Sequence, residues 1–245
     1  MDSPPSFLPD RERCAVLLLA AGEGRRFGQP KAAVTLNGMT LLQRSAHAFR
    51  DFPHKVAVLR AADVESADLW GWTVVAGGAE RTDSVAAGLA ALPDGPGGPE
   101  IVLIHDAARP LVSREIVDRI VKGAREAGAV IPVVPVTDTI KRVRDSVVLD
   151  TPDRSELAVV QTPQGFSRSL LERAVAAAGR NSADTGRNSS GTSGAGAATD
   201  DASLVEALGE MVQTVPGDPR NLKITRPEDL DVAKAWLSKD LPETG

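Results

Sequence analysis

Short apolar runs alternate along this chain with segments of helical period. Ala15–Ala20 (AVLLLA) is the clearest run, and Lys55–Leu59, Thr73–Ala76, Ile101–His105 and Val130–Val136 resemble it. Runs of this length, rich in Val, Ile and Leu, read as strands buried on both faces. Between them, Thr40–Phe49 sets Leu41, Leu42, Ser45, Ala46 and Phe49 on one face. Ser84–Leu92 and Glu115–Ala127 share that period, with Ile116, Ile120, Val121 and Ala124 aligned on the second. Strands alternating with helices predict an α/β fold with a mostly parallel sheet and helices on both faces. Ligands of such sheets bind outside the carboxyl ends of the strands, so motifs at those junctions carry the most weight.

Two regions break the alternation. Thr139–Val143 and Val147–Thr151 flank Arg144-Asp145-Ser146 as in a hairpin, and Leu157–Gln161 follows as a further strand. Together they predict a projecting arm over about residues 137–161. Asn181–Ala198 has no Val, Leu, Ile or Phe and is dominated by Gly, Ser and Ala. Such a segment cannot offset the entropy of ordering, so it reads as a flexible loop. Thr199 or Asp200 then caps a helix running to Leu208. Thr225 and Glu228 have capping-box spacing at the start of the last helix, with Pro227 tolerated in its first turn.

Composition narrows the partners. The chain has 245 residues, 42% hydrophobic and 25% charged, an ordinary globular balance. We expect a single domain over 13–238, with tails at 1–12 and 239–245. The net charge is −5, which argues against a non-specific nucleic-acid partner. Five Phe, three Trp and no Tyr leave little for base stacking. A single cysteine, Cys14, excludes a disulfide within the chain. The longest apolar run falls far short of the ~20 residues of a membrane span, and the first ten residues lack the pattern of a signal peptide. A cytoplasmic protein, with no membrane partner, is expected.

The first strand runs into Ala20-Ala21-Gly22-Glu23-Gly24-Arg25-Arg26-Phe27-Gly28-Gln29-Pro30-Lys31. Glycines after a strand let backbone N–H groups approach an anion, and Arg25, Arg26 and Lys31 add cations nearby. The combination suits a triphosphate. It is neither the dinucleotide fingerprint, which wants glycine where Phe27 stands, nor a P-loop, whose Gly-Lys-Ser/Thr is absent.

Further motifs follow in order. They are Gly77-Gly78-Ala79-Glu80-Arg81-Thr82-Asp83-Ser84-Val85, His105-Asp106-Ala107-Ala108-Arg109-Pro110 and Thr137-Asp138-Thr139-Ile140-Lys141. Then come Gln161-Thr162-Pro163-Gln164-Gly165-Phe166, Thr199-Asp200-Asp201-Ala202-Ser203 and Asn221-Leu222-Lys223-Ile224-Thr225-Arg226-Pro227-Glu228-Asp229. In this order and spacing the chain closely resembles the 2-C-methyl-D-erythritol 4-phosphate cytidylyltransferase family of non-mevalonate isoprenoid synthesis, over about residues 13–238. The nearest alternative keeps the chemistry on another polyol phosphate, such as ribitol 5-phosphate.

The resemblance implies a Rossmann-like nucleotidyltransferase fold, a homodimer joined through the arm, and transfer of CMP from CTP to methylerythritol phosphate. By the same resemblance, Arg26 and Lys31 match residues that stabilise the transition state, and Arg154 and Lys223 match residues that position the substrate phosphate. Ala20, Ala21, Gly22 and Gly24 match the backbone around the nucleotide, and Gly78 and Ser84 match positions near the cytosine. Asp106, Ala107 and Arg109 match positions near the ribose and the polyol, and Thr139, Thr162 and Thr199 match further substrate contacts. Mg²⁺ is expected mainly on the CTP phosphates, with Asp106 as the one candidate protein ligand. His105 is expected to be structural, and Cys14 a small core residue. Ala79 stands where some relatives carry an acidic residue.

Overall fold

The structure, a computed structural model, describes residues 11–22, 34–185 and 200–239. In chain order these form β1 (Cys14–Ala20), β2 (Thr35–Leu36), β3 (Met39–Thr40), α1 (Leu41–Ala48), β4 (His54–Leu59), β5 (Thr73–Ala76) and α2 (Arg81–Ala90). Next come β6 (Ile101–Asp106), α3 (Arg114–Ala127), β7 (Ala129–Pro135), β8 (Arg142–Arg144), β9 (Val147–Asp150) and β10 (Ala158–Val160). The chain continues through β11 (Gln164–Ser167), α4 (Arg168–Thr185), α5 (Ala202–Glu206), β12 (Gln213–Pro216) and α6 (Glu228–Lys239).

The five apolar runs are strands of one sheet. Its order is β10-β7-β11-β6-β1-β4-β5, and β12 pairs with β7. Pairs β1/β4, β1/β6, β4/β5 and β7/β12 are parallel. Only β10 and β11 run the other way. The carboxyl ends of β1, β4, β5 and β6 therefore open on one side.

Alternation along β1 explains why the strand is apolar throughout. Ala15 and Leu17 join a core with α2, α4 and α5 through Val85, Leu89, Leu171 and Val205. Cys14 and Val16 face the other way, onto Phe49, Phe52 and the Ile116, Ile120, Val121 and Ala124 stripe of α3. Leu18 meets Leu42 and Ala46 of α1. Each Val, Leu, Ile or Phe side chain so buried contributes roughly 1.5–3 kcal/mol. Helix ends are set locally. Thr40 Oγ1 accepts from Gln43 N at 3.1 Å to start α1, and Gly128, in the left-handed region at φ 80°, ends α3.

A hairpin forms in the expected region, but its strands are shorter, Arg142–Arg144 and Val147–Asp150, and Arg144 sits in a strand rather than in the turn. Asp145 and Ser146 both take positive φ between β8 and β9, as a two-residue hairpin turn requires. Its apolar side chains face outward, with Val143 55% and Val147 61% exposed.

Three other expectations change. The first residues of the expected 181–198 loop continue α4 to Thr185, and 186–198 lies outside the described residues. α5 spans only Ala202–Glu206, and its first turn is capped by Asp200, whose Oδ1 accepts from Ser203 N at 3.1 Å. At α6 the capping carboxylate is Asp229 rather than Glu228. Its Oδ2 accepts from Thr225 N at 2.6 Å, Thr225 Oγ1 at 2.8 Å and Arg226 N at 2.8 Å. Three donors converge on the shorter acid one residue on, which leaves Glu228 to solvent.

Candidate active site

A cleft of about 330 Å³ opens at the carboxyl ends of β1, β5 and β6. Its walls include Ala20, Ala21 and Gly22 after β1, Gly78 to Arg81 and Ser84 around the start of α2, Asp106 to Ala108, and Lys223. Glycine is needed where the turn after β5 closes on that wall. A Cβ at Gly77 would stand 2.6 Å from Ser84 Oγ and 2.8 Å from the Ala21 Cβ, and one at Gly78 would collide with Asp83. The turn thus presents bare backbone to the cleft. Ser84 is tied back, its Oγ donating to Glu80 O at 3.2 Å.

The β6 wall is pinned from several sides. Ala107 N donates to Leu19 O at 3.0 Å, and Ser45 Oγ donates to Ala107 O at 2.9 Å. Ile224 N donates to Ala108 O at 2.7 Å, which lays the Lys223 segment along Asp106 to Ala108.

Four charges alternate across the cleft. Arg81 grips Asp201 with two nitrogens, Nε to Oδ1 at 3.1 Å and NH2 to Oδ2 at 2.7 Å. Its third nitrogen, NH1, donates to Asp106 Oδ1 at 2.8 Å. Lys223 Nζ donates to Asp106 Oδ2 at 2.6 Å. Burial alone would push the Asp106 carboxyl up, but Arg81 and Lys223 outweigh it and hold it well below the usual carboxylate range. Burial likewise opposes the charge of Arg81, yet Asp106 and Asp201 hold its pKa above the ordinary guanidinium value. Burial pushes the Asp201 carboxyl up, against the pull of Arg81. The four charges sum to zero, so attraction of a polyanion falls to cations added from elsewhere.

A second chain of bonds lies beneath. Asp106 N donates to Thr162 Oγ1 at 3.1 Å, Thr162 Oγ1 lies 3.0 Å from His105 Nδ1, and His105 Nε2 lies 3.1 Å from Arg109 O. A carbonyl only accepts, so Nε2 carries the proton and Nδ1 accepts from the Thr162 hydroxyl. Burial lowers the His105 pKa to about 4, so the ring is neutral at physiological pH. Arg109 completes the layer. Its guanidinium donates to Asn221 O at 2.8 Å and Val160 O at 3.2 Å, and burial lowers its pKa.

The residues singled out from the sequence divide accordingly. Ala20, Ala21, Gly22, Gly78, Ser84, Asp106, Ala107 and Lys223 come together on the cleft. Thr162 and Arg109 stand behind it, 5% and 9% exposed; the Thr162 hydroxyl and two Arg109 nitrogens are engaged inside the protein, while Arg109 Nε has no hydrogen-bond partner. Arg154 donates to Thr137 O at 3.0 Å at the foot of the arm, and neither it nor Thr139 lines this cleft. Gly24, Arg26, Lys31 and Thr199 lie outside the described residues. Sequence reading missed the roles of Arg81 and Asp201. Both stood inside quoted motifs, but nothing local signals a pair 120 positions apart.

A divalent ion finds no cage here. Among the described residues, no three His, Cys, Asp or Glu side chains gather as a metal site. Both Asp106 oxygens are already engaged by cations. Also among the described residues, no helix is long and apolar enough to cross a membrane.

The sequence profile of the 2-C-methyl-D-erythritol 4-phosphate cytidylyltransferase (IspD) family matches residues 14–239. The protein of that name from Rhodococcus jostii is 47% identical over 233 residues, covering 91% of this chain and 94% of its own. Its counterpart from Rhodococcus opacus is 46% identical over the same shares. The crystal structure of the Thermus thermophilus protein of that name superposes with a TM-score of 0.75 at 38% identity, covering 91% of this chain and 98% of that one. A Rossmann-like nucleotidyltransferase sheet, a glycine-walled cleft at its carboxyl edge and a match over nearly the whole described chain agree: the chain belongs to the 2-C-methyl-D-erythritol 4-phosphate cytidylyltransferase family.

Proposed function

We propose that this chain transfers CMP from CTP to 2-C-methyl-D-erythritol 4-phosphate, giving 4-diphosphocytidyl-2-C-methyl-D-erythritol and pyrophosphate. Family membership supports this, and one geometric observation carries it. The Lys223 ammonium sits beside Asp106 in the same cleft as the bare backbone of Ala21, Gly22 and Gly78. That pairs a nucleotide cradle with a seat for a second phosphate.

In this reading a phosphate oxygen of methylerythritol phosphate attacks the α-phosphorus of CTP. The new P–O bond forms as the bond from the α-phosphorus to the bridging oxygen breaks, and that oxygen leaves with pyrophosphate. The nucleophile is already ionised, so no proton moves, in keeping with a buried neutral His105 engaged elsewhere. What the protein must supply is positioning and fixed positive charge.

Backbone at Ala20, Ala21, Gly22 and Gly24 wraps the triphosphate, and Gly78 and Ser84 read the cytosine. Asp106 and Ala107 face the ribose and the polyol. Arg26 and Lys31 stabilise the charge that grows on the α-phosphate and pyrophosphate. Lys223 exchanges its bond with Asp106 for the incoming phosphate. Arg109 and Thr162 act on substrate from beneath, by fixing the Asp106 and Lys223 segments, and the family resemblance assigns Thr199 a further substrate contact. Mg²⁺ would neutralise charge on the CTP phosphates, with few protein ligands required. Asp106 could join its ligands only once Lys223 leaves for the substrate phosphate, since Arg81 and Lys223 engage both its oxygens in this structure.

Residues 13–238 act as one nucleotidyltransferase domain with tails on either side. The exposed apolar arm supports a homodimer in which Thr139 and Arg154 reach the neighbouring subunit's cleft. Both substrates are small, charged metabolites, which supports a cytoplasmic location. Pyrophosphate release, followed with CTP, Mg²⁺ and either methylerythritol phosphate or ribitol 5-phosphate, tests the assignment. Release with the first alone is expected, and release with ribitol 5-phosphate alone would overturn it.

A further inference from the structure

An arginine in a triphosphate cleft invites the reading of a phosphate clamp. Arg81 is built differently. Each of its three nitrogens already donates to a carboxylate, two to Asp201 and one to Asp106. The fork-to-fork pairing with Asp201 is the strongest geometry a guanidinium offers, and it aims the remaining nitrogen at one Asp106 oxygen.

Asp201 is itself held rigidly. Its carboxylate is 1% exposed. The backbone beneath it is fixed by Gln164, a fully buried amide on β11, whose Oε1 accepts from Asp201 N at 3.2 Å and Ala202 N at 3.0 Å. The same amide donates to Asp200 Oδ2 at 2.8 Å. From Gln164 outward, the chain of contacts passes Asp201, Arg81 and Asp106 and ends at Lys223. Side-chain exposure along it is 1% at Asp201, 24% at Arg81 and 10% at Asp106, and it is highest, 42%, at Lys223. Three members are anchored, and only the terminal ammonium is free to change partner.

We propose that Arg81 and Asp201 are positioning residues for the transfer reaction: they hold the Asp106 carboxylate so that it presents the Lys223 ammonium to the incoming substrate phosphate. Neither touches substrate. The Asp201 charge is what keeps Arg81 committed. Without it the guanidinium has one carboxylate instead of two, and one face of its fork turns free to bind triphosphate unproductively. This inference rests on the cytidylyltransferase reading above and refines its substrate site.

The test is a double-mutant cycle. Turnover of methylerythritol phosphate by the unmodified chain is measured first, which separates failure of the function from failure of this inference. Asp201→Asn, Lys223→Ala and the double variant are then compared in kcat/KM for methylerythritol phosphate. Asp201→Asn should cost about tenfold beside Lys223 and under about threefold in the Lys223→Ala background, a coupling within the range for residues sharing one network. A structural role for Asp201 would instead cost the same factor in both backgrounds, and that result, or no loss beside Lys223, would overturn the proposal. If Asp201→Asn does not fold, as judged by thermal melting, Arg81→Lys carries the same cycle, since it keeps the charge and loses the fork.

Discussion

Lys223 and Asp106, 117 positions apart in the chain, meet at 2.6 Å in the cleft. The contact stores the ammonium beside the site where a substrate phosphate would displace it. Lys223→Ala should therefore lower kcat/KM for methylerythritol phosphate by about 10²-fold, the scale for losing one charge-stabilising donor. Binding of CTP alone, followed by calorimetry, should change far less. Equal losses for both substrates would remove Lys223 from the polyol side of the cleft.

Thr162 gives a prediction about stability. Its hydroxyl accepts from Asp106 N and donates to His105 Nδ1, so Thr162→Val leaves two buried polar groups unpaired. Urea unfolding should show a loss of roughly 1–3 kcal/mol per unpaired group. Thr162→Ser keeps the hydroxyl and should stay close to the parent. Equal stability of the Val and Ser variants would contradict the directional chain of bonds.

Acid should weaken the fold through His105. Its pKa in the fold is about 4, against ~6.5 in an unfolded chain. Between these values the unfolded chain binds the proton and the folded one does not. Stability therefore falls as pH drops from about 6.5 to 4, by at most roughly 1.4 kcal/mol per pH unit from this group, and no further below that. Asp106 has the opposite timing. Its depressed carboxyl contributes fully above the ordinary carboxylate pKa of ~4 and is lost only as pH falls through its lower value in the fold. Urea melts from pH 4 to 7 should show the slope, and His105→Gln should flatten it. An unchanged slope in that variant would place the titration elsewhere.

How far the sequence reached follows from the range of each signal. β1, β4, β6 and β7 were legible because their central residues are buried on both faces, which leaves a nearly unbroken apolar run; β5, at the sheet edge and only partly buried, keeps a short apolar run at Val74–Ala76. β11 was not legible. It is four residues long, carries Gln164 and Gly165, and is inserted antiparallel between β6 and β7. Its glycine reflects packing that only the fold reveals, since a Cβ there would stand 2.6 Å from Ile120 Cγ2. The site shows the same division. Gly22 lies in a glycine-rich motif directly after a strand, which points to an anionic ligand by itself, while Gly78, Asp106 and Lys223 were singled out through the family resemblance of the compact motifs that hold them. Arg81 with Asp201, and Thr162 with His105, are contacts across long stretches of chain, and no local pattern announces them.

The arm bears on shared sites. Arg154 stands at the foot of an exposed apolar hairpin and away from the cleft of its own subunit. If each site borrows it from the partner, Arg154→Ala and Lys31→Ala subunits should complement. Each variant alone should lose about 10²-fold in kcat, while verified mixed dimers, which contain one site with both residues intact, should recover a measurable share of the parent rate. No recovery in such dimers would contradict the borrowed arm.

The proposed reaction joins the α-phosphate of CTP to the phosphate of methylerythritol phosphate. The most direct measurement uses CTP labelled at the α-phosphate and follows both products by chromatography and mass. Label is expected in 4-diphosphocytidyl-2-C-methyl-D-erythritol, with unlabelled pyrophosphate released in equal amount and only when methylerythritol phosphate is present. Label remaining in CTP or appearing in free CMP, with no diphosphocytidyl product, would contradict it.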